Sequence, residues 1–339
     1  MAQPEAVRGF RPHAEKLSSG EHVERGLRYF PIALFSLVMG IAGVTIATHR
    51  TETLFDVPHI LSGTLLTLAS AFFVVFTLLQ IVRAIRWPEE IVRDFNHPTR
   101  INFFAAFSVS FLLLSIAYLD FVPDIARVLW WIGTPLHLGI TLAILNKLIH
   151  QDTFEIQHYN PAWFIPFVGN IVVPISGVEF APLGVNVFFF GVGLFFSIVF
   201  STIFFYRIFF HAPLPIKLVP TFFILMAPPA VGCISYVKLT GCFDIFAQIL
   251  YSIALFMALL FLFQFRMYTR IPFYISWWAY LFPSAALTIA TILAYNMTNQ
   301  EVFRWLAHFF NVVLLTWLAF FTWKTYKLLK MRHLCVKED

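Results

Sequence analysis

The stretch at residues 275–295 reads ISWWAYLFPSAALTIATILAY and carries no formal charge. Its length matches the ~20 residues that a membrane-spanning helix needs. Pro283 lies near its middle, directly after Phe282, and small or hydroxylated residues follow, beginning with Ser284. A helix that faces only lipid has no need of this mixture, whereas a helix that lines a narrow path across a membrane uses it. We therefore expect this stretch to line such a path.

The composition of the whole chain is that of a polytopic integral membrane protein. Its 339 residues are 59% hydrophobic and 12% charged, whereas soluble domains are about 25% charged. The net charge of +5 comes mainly from basic residues in links and tails, so it does not indicate nucleic-acid binding. Cys233, Cys242 and Cys335 form no CxxC pair, and no catalytic or phosphate-binding motif occurs. We therefore expect no disulfide framework, no metal site, no cofactor and no enzymatic activity.

Ten apolar segments follow one another with short polar links between them. They are residues 30–48, 57–82, 101–119, 125–149, 162–178, 184–206, 218–237, 245–265, 272–295 and 302–323. We expect an all-α integral membrane domain at residues 28–330, built from ten transmembrane helices as five helical hairpins. An N-terminal tail at residues 1–27 and a C-terminal tail at residues 331–339 flank it.

The basic residues in the tails and links predict the orientation. Of the 23 lysines and arginines, 19 lie on the side of the N-terminus and four on the opposite side. Because basic residues are retained in the cytoplasm, both termini are expected to be cytoplasmic, which also requires an even number of spans.

The segments alternate in character. Even-numbered segments are bulky and apolar, whereas most odd-numbered ones contain prolines, glycines or small hydroxylated residues. Broken helices and repeats build the path of many transport proteins, although small residues also simply allow close helix packing. We favour the path because the breakers recur at comparable depth. The residues predicted to line or kink its wall are Gly40, Gly43, Ser108, Gly169, Pro174, Pro228, Gly232, Pro283 and Ser284.

The charged residues avoid the centres of the segments, and Glu179 and Asp244 are the acidic residues expected closest to the membrane interior. A cation channel or a proton-driven pump usually needs carboxylates there. We therefore expect a neutral path, lined by hydroxyls, backbone and aromatic faces, that favours monovalent anions. His137 and His308 lie well inside segments, and each is interpreted as a buried neutral histidine rather than a haem ligand. His137 is also a candidate pH-sensitive group near the path.

Five stretches occur in order along the segments. They are YFPIALFSLVMGIAG, LWWIGTPLHL, HQDTFEIQHYNPAWFIPFVGNIVVP, APPAVGCISYV and WWAYLFP. In this order the chain, from about residue 29 to residue 330, resembles the tellurite-resistance/dicarboxylate transporter family. That family includes bacterial TehA proteins, yeast malate and sulfite carriers, and the slow anion channels of plant guard cells.

The resemblance implies a homotrimer in the cell membrane, in bacteria the inner membrane, whose protomers each enclose a pore. The odd-numbered helices would form an inner ring with quasi-fivefold symmetry, and the even-numbered helices would surround it. A phenylalanine of the ninth helix blocks the pore in that family, and it maps onto Phe282. The partners implied are the lipid bilayer and small inorganic anions. The long tails of the plant members are missing here, so their control by kinases is not carried over.

Three functions stay open on these residues. A gated channel for small monovalent anions, such as chloride and nitrate, fits the neutral path and is favoured. A secondary carrier or exporter for dicarboxylate, sulfite or tellurite-type oxyanions should show a binding charge or a coupling acid, and none is evident. A structural or enzymatic membrane subunit would lack conductance.

Overall fold

The computed structural model describes residues 26–150 and 154–330, and every regular element in these ranges is helical. The principal helices are α1 (Ile32–Leu54), α2 (Ile60–Arg86), α3 (Arg100–Tyr118), α4 (Pro123–His150), α5 (Pro161–Gly177), α6 (Leu183–Phe210), α7 (Ile216–Thr240), α8 (Ile245–Phe263), α9 (Ile275–Thr298) and α10 (Glu301–Lys330). Two smaller helices, Pro88–Asn96 and Phe265–Tyr268, lie in links. The C-terminal tail, and nearly all of the N-terminal tail, lie outside the described residues.

Nine of these helices in the described ranges are long and apolar enough to cross a membrane, so the predicted all-α membrane fold is confirmed. The shorter α5 contains two 3₁₀ stretches, Pro161–Trp163 and Gly169–Val172. A 3₁₀ helix rises about 2.0 Å per residue against 1.5 Å in an α-helix, so α5 extends for roughly 29 Å, close to the thickness of the hydrocarbon core. The count of ten spans stays a prediction.

The ten helices form two concentric layers. Each odd-numbered helix contacts the next odd-numbered one, and α9 returns to α1, so the five close a ring. Each even-numbered helix packs against its own hairpin partner and against the following odd-numbered helix. The most apolar stretches of α1, α3, α7 and α9 are 94, 72, 89 and 67% buried, whereas those of the even-numbered helices are 28–33% buried. The alternation of small and bulky segments therefore corresponds to an inner and an outer layer.

The odd-numbered helices share a second feature, since all five begin as 3₁₀ helix, whereas the even-numbered ones are α-helical throughout. In α9 the 3₁₀ stretch is Ile275–Tyr280 and the α-helix begins at Leu281. Pro283 is therefore the third residue of the α-helical part, which continues directly from the 3₁₀ stretch. Pro228 in α7 and Pro174 in α5 are the second residues of the corresponding α-helical parts. These prolines mark where 3₁₀ helix becomes α-helix.

The link between α2 and α3 is fixed to the membrane domain by buried charges. Arg83 of α2 pairs with Asp94 of the helix Pro88–Asn96 at 2.7 Å, and Arg100 pairs with the same carboxylate at 3.3 Å. Arg83 and Asp94 are each 3% exposed, so removing one partner would leave an uncompensated buried charge. The start of α3 is therefore held firmly on the side of the chain ends.

Candidate permeation path

Two cavities lie inside the ring, one above the other along its axis. The cavity nearer the chain ends, here called the inner chamber, has a volume of about 50 Å³, and the outer chamber has about 30 Å³. All five odd-numbered helices line both chambers, and no residue of an even-numbered helix lines either one. The two chambers therefore mark a path through the middle of the inner ring.

Three residues, Phe282, Val172 and Val231, line both chambers and so form the wall between them. The ring of Phe282 lies against Gly43, where an added Cβ would be 3.3 Å from the Cδ2 of Phe282. Phe282 is only partly buried, unlike its neighbours Leu281 and Pro283. Its side chain therefore separates two spaces instead of filling a packed core.

The walls of the path are neutral and mostly apolar. Ser36 is the one hydroxylated side chain in the described lining, and its hydroxyl donates to the carbonyl of Ala33 at 2.6 Å. The expected lining of hydroxyls, backbone and aromatic faces is therefore wrong for the hydroxyls, whereas aromatic side chains such as Phe164 and Trp278 do line the inner chamber. Many hydroxyls of the inner helices donate instead to carbonyls three or four residues earlier, as Ser110 does to Ala106 at 2.7 Å, whereas Ser115 donates to the carbonyl of Ala126 on α4 at 2.8 Å. In an apolar interior the nearest acceptor of a serine is the carbonyl of its own helix.

The predicted wall residues divide into two groups. Gly43, Gly169, Pro228 and Pro283 line a chamber, whereas Gly40, Ser108, Pro174, Gly232 and Ser284 line neither. An added Cβ at Gly40 would be 3.2 Å from the side chain of Leu281, and one at Gly232 would be 3.6 Å from Leu250 of α8. These two glycines therefore allow close packing between helices and do not line the path.

His137 of α4 is fully buried behind the wall of the path. Its Nδ1 is 2.9 Å from the hydroxyl of Ser108, and its Nε2 has no hydrogen-bond partner among the described residues. The ring abuts Gly169, where an added Cβ would be 2.7 Å from Cε1 and from Nε2. Gly169 lines the inner chamber, so His137 lies one layer behind that chamber.

The second histidine that the sequence placed well inside the membrane is exposed on the outer layer. His308 lies about two turns from the start of α10, and its ring is 5.0 Å from that of Phe55 beyond the end of α1. It is therefore near the edge of the domain opposite the chain ends, and the prediction of a buried His308 is wrong.

The residues that sequence reasoning missed are the apolar ones. In α9 the lining residues Ala279, Phe282, Ala286 and Ile289 follow one another at spacings of three, four and three residues. The same spacing relates Ser36, Met39, Gly43 and Ile46 in α1. This is the repeat of one helix face, so counting outward from Phe282 would have found the lining of α9.

Helix α1 is longer than the first apolar segment and ends at Leu54. Glu52, in its last turn, is 7% exposed and enters the buried part of the domain. The sequence placed Glu52 in a polar link, because hydropathy falls at Thr48 before the helix itself ends. That Glu179 and Asp244 are the acidic residues closest to the membrane interior stays a prediction.

A closed inner ring of helices with two neutral cavities on its axis, in a chain with nine candidate membrane-spanning helices in the described ranges, is the architecture of a multi-pass membrane protein. The family profile described as "SLAC1: Voltage-dependent anion channel" matches residues 29–326. The chain therefore belongs to this family of anion channels and transporters, and its general activity is anion transport.

Three relatives indicate the breadth of the family. An uncharacterized transporter of Methanocaldococcus jannaschii is 25% identical, with coverage of 88% of this chain and 92% of the relative. The S-type anion channel SLAH3 of Arabidopsis thaliana is 27% identical over 83% of this chain and 46% of its own length. A tellurite resistance protein TehA homolog of Haemophilus influenzae is 26% identical, with coverage of 88% of this chain and 91% of the relative. The chain therefore spans about half of the plant channel and nearly all of the two microbial proteins.

Proposed function

We propose that the protein is a gated channel for small monovalent anions, such as chloride and nitrate, and that Phe282 is its gate. The observation that carries the proposal is the position of Phe282, whose side chain separates two neutral chambers on the axis of the inner ring. A phenyl ring there blocks passage sterically, and it offers no polar group to replace the hydration that an anion loses. Opening then requires the ring to leave the axis.

The neutral wall favours weakly hydrated monovalent anions. Removing a charge from water costs free energy that rises steeply with the charge, so a multivalent oxyanion pays far more than chloride in an apolar passage. Basic residues such as Arg93, Arg266 and Arg270 lie in the links on the side of the chain ends. They raise the local concentration of anions at that mouth.

The alternative function is a secondary carrier for dicarboxylate, sulfite or tellurite-type oxyanions. Such a carrier needs a side chain in the path that binds the substrate charge or carries a coupling proton. No charged or histidine side chain occurs in the lining of either chamber within the described ranges. The neutral lining therefore favours the channel.

Electrical recording of the purified full chain in lipid bilayers distinguishes the channel from the carrier. Under gradients of chloride, nitrate and malate at two pH values, a channel gives reversal potentials that follow the monovalent anion, with no need for a proton gradient. Anion flux that requires a proton gradient, without macroscopic conductance, would establish the carrier instead. A current dominated by cations would refute both.

His137 belongs to the proposal as a candidate pH-sensitive group. Its free Nε2 and its place behind Gly169 support this role. If His137 senses protons, His137→Gln will remove the pH dependence of conductance between pH 5 and pH 8. Unchanged pH dependence would leave His137 a packing residue.

The assembly and the orientation are also proposed, as a homotrimer with both chain ends in the cytoplasm. The outer layer exposes large apolar side chains, such as Phe195 and Phe256, which suit lipid or a neighbouring protomer equally. Mass measurement in nanodiscs should give three copies, and a monomer with full conductance would refute the trimer. Cysteines introduced at positions 16 and 332 should be labelled from the inside only, and labelling from outside intact cells would reverse the orientation.

A further inference from the structure

A cluster of two histidines and one glutamate lies at the face opposite the chain ends, outside the candidate permeation path. His49 and Glu52 belong to the last turns of α1, and His59 directly precedes α2. One donor atom from each of the three lies within 4.8 Å of the other two. His49 and Glu52 are buried, whereas the side chain of His59 is 43% exposed. The cluster is thus partly preformed and open to solvent through His59.

The spacing of two of the donor atoms suits a bound ion better than a direct hydrogen bond. The Nδ1 of His59 lies 3.5 Å from Oε2 of Glu52, which is longer than an ordinary hydrogen bond of 2.7–3.2 Å. Two ligands about 2.1 Å from a tetrahedral Zn²⁺ are roughly 3.4 Å apart. Ser62 holds the carboxylate in place, because its backbone N–H donates to Oε1 at 3.2 Å and its hydroxyl donates to Oε2.

A second, independent observation is the orientation of His49. Its Nδ1 lies 3.5 Å from the hydroxyl of Ser62, on the side of Glu52, and its Nε2 lies 3.4 Å from Oδ2 of Asp120. Asp120 in turn pairs with Arg50 at 2.9 Å. A histidine that binds a metal through one nitrogen typically donates its other N–H to a carboxylate. His49 therefore has Nδ1 on the side of the cluster and Nε2 beside the carboxylate of Asp120.

We propose that His49, Glu52 and His59 bind one divalent transition-metal ion of the Zn²⁺ class, with Asp120 as a positioning residue. Two imidazoles and one carboxylate leave a fourth position for water. Nitrogen donors favour Zn²⁺ and its neighbours over Mg²⁺ and Ca²⁺, which prefer oxygen donors. Because Arg50 balances Asp120, Glu52 supplies the anionic charge that the ion needs.

The bound ion would link the end of α1 to the start of α2 and, through Asp120, to the link between α3 and α4. This role is structural, since no residue of the site and its support lines either chamber; these residues are His49, Arg50, Glu52, His59, Ser62 and Asp120. We therefore expect Zn²⁺ to raise the thermal stability of the domain. The site is separate from the proposed path for anions. A result that refutes zinc binding would therefore leave the proposed channel function unaffected.

The test is calorimetric titration of the purified full chain with Zn²⁺ after treatment with a chelator, followed by thermal unfolding. We expect one saturable site and a higher Tm with Zn²⁺. His59→Gln should weaken binding at least tenfold, and Asp120→Asn should weaken it by about 10–100-fold, as losses of supporting carboxylates do. His308→Gln is the matched control, being an exposed histidine near the same face, and it should bind like the wild type.

His59→Gln is the preferred variant because His59 is half-exposed, so the substitution should not disturb folding. Glu52→Gln alters a buried side chain and could weaken binding by destabilising the fold. Wild-type affinity in His59→Gln would overturn the proposal and assign the Zn²⁺ to other residues, such as His13, His22 or Cys335. Absence of saturable binding, or equal affinity for Mg²⁺ and Zn²⁺, would overturn it as well.

Discussion

Gly43 of α1 and Phe282 of α9 lie in direct contact at the wall between the two chambers. A Cβ added to Gly43 would be 3.3 Å from Cδ2 and 3.4 Å from Cα of Phe282, and 3.2 Å from Cβ of Ala285. These distances are tighter than ordinary contacts, so the ring of Phe282 rests on a surface that only glycine provides. In the proposed mechanism Gly43 is thus the residue against which the Phe282 ring packs when the path is closed.

Gly43→Ala should raise basal anion conductance, but by less than Phe282→Ala, because the new methyl group displaces the ring from this position. The ring has space to move, since it faces a chamber on each side. In a Phe282→Ala background the same change should alter conductance less than about twofold, as expected for coupled residues. Gly139→Ala is the control, because nothing lies within 4 Å of a Cβ at that position. Equal effects of Gly43→Ala in both backgrounds would contradict the contact.

The packing of the outer layer on the inner ring predicts opposite effects at two glycines of α6. A Cβ at Gly193 would be 2.7 Å from the backbone nitrogen of Ile171, whereas one at Gly191 would meet nothing within 4 Å. Gly193→Ala should therefore destabilise the protein by about 1–3 kcal/mol through overpacking. Gly191→Ala should be neutral or stabilise it by up to about 1 kcal/mol, because alanine favours the helix. Thermal unfolding in detergent decides, and equal Tm values would contradict the close approach of α5 and α6.

The link before α3 predicts a pH-dependent stability. The Nδ1 of His97 accepts hydrogen bonds from the N–H groups of Thr99 and Arg100 at 3.1 and 3.3 Å. Burial, assisted by the charge of Arg100, lowers the pKa of His97 to about 4. Since the unfolded chain has the ordinary value near 6.5, this stability is fully present above pH 6.5 and is lost as the pH falls towards 4.

His97→Asn keeps an acceptor for the backbone amides but removes the titration. Between pH 6.5 and pH 4.5 the Tm of this variant should fall by at least about 2 °C less than that of the wild type. His308→Asn, which changes an exposed histidine, should follow the wild type. Parallel curves for wild type and His97→Asn would show that His97 does not contribute.

The layered architecture could be predicted because it depends on composition along each helix. A ring of five helices brings backbones close together, and small residues such as Gly40 are needed where α1 meets α9. Helices of the outer layer carry mainly bulky apolar side chains, and α6 keeps a small residue, Gly193, where it packs on α5. The alternation along the chain therefore contains the information about which helices lie inside.

The details of the site could not be predicted in the same way. The direction of a hydroxyl such as that of Ser110 depends on the carbonyls within its reach, which the sequence does not display. Val172 and Val231 are ordinary valines until the fold places them beside Phe282. The cluster at Glu52 was missed because α1 continues past its apolar stretch. The carboxylate of Glu52 is buried there because it accepts hydrogen bonds from the backbone N–H and the hydroxyl of Ser62.

The gate is tested most directly by recording single-channel currents of Phe282→Ala in bilayers with symmetrical chloride. The variant should conduct far more than the wild type, Phe282→Leu should be intermediate, and oligomer yield should not change. Phe256→Ala is the matched control, because Phe256 is 60% exposed on α8 and lies outside the path; it should conduct like the wild type. A large rise in chloride current confined to the Phe282 variants is the result that we predict. A normally folded Phe282→Ala protein that conducts no better than the wild type would contradict the gate.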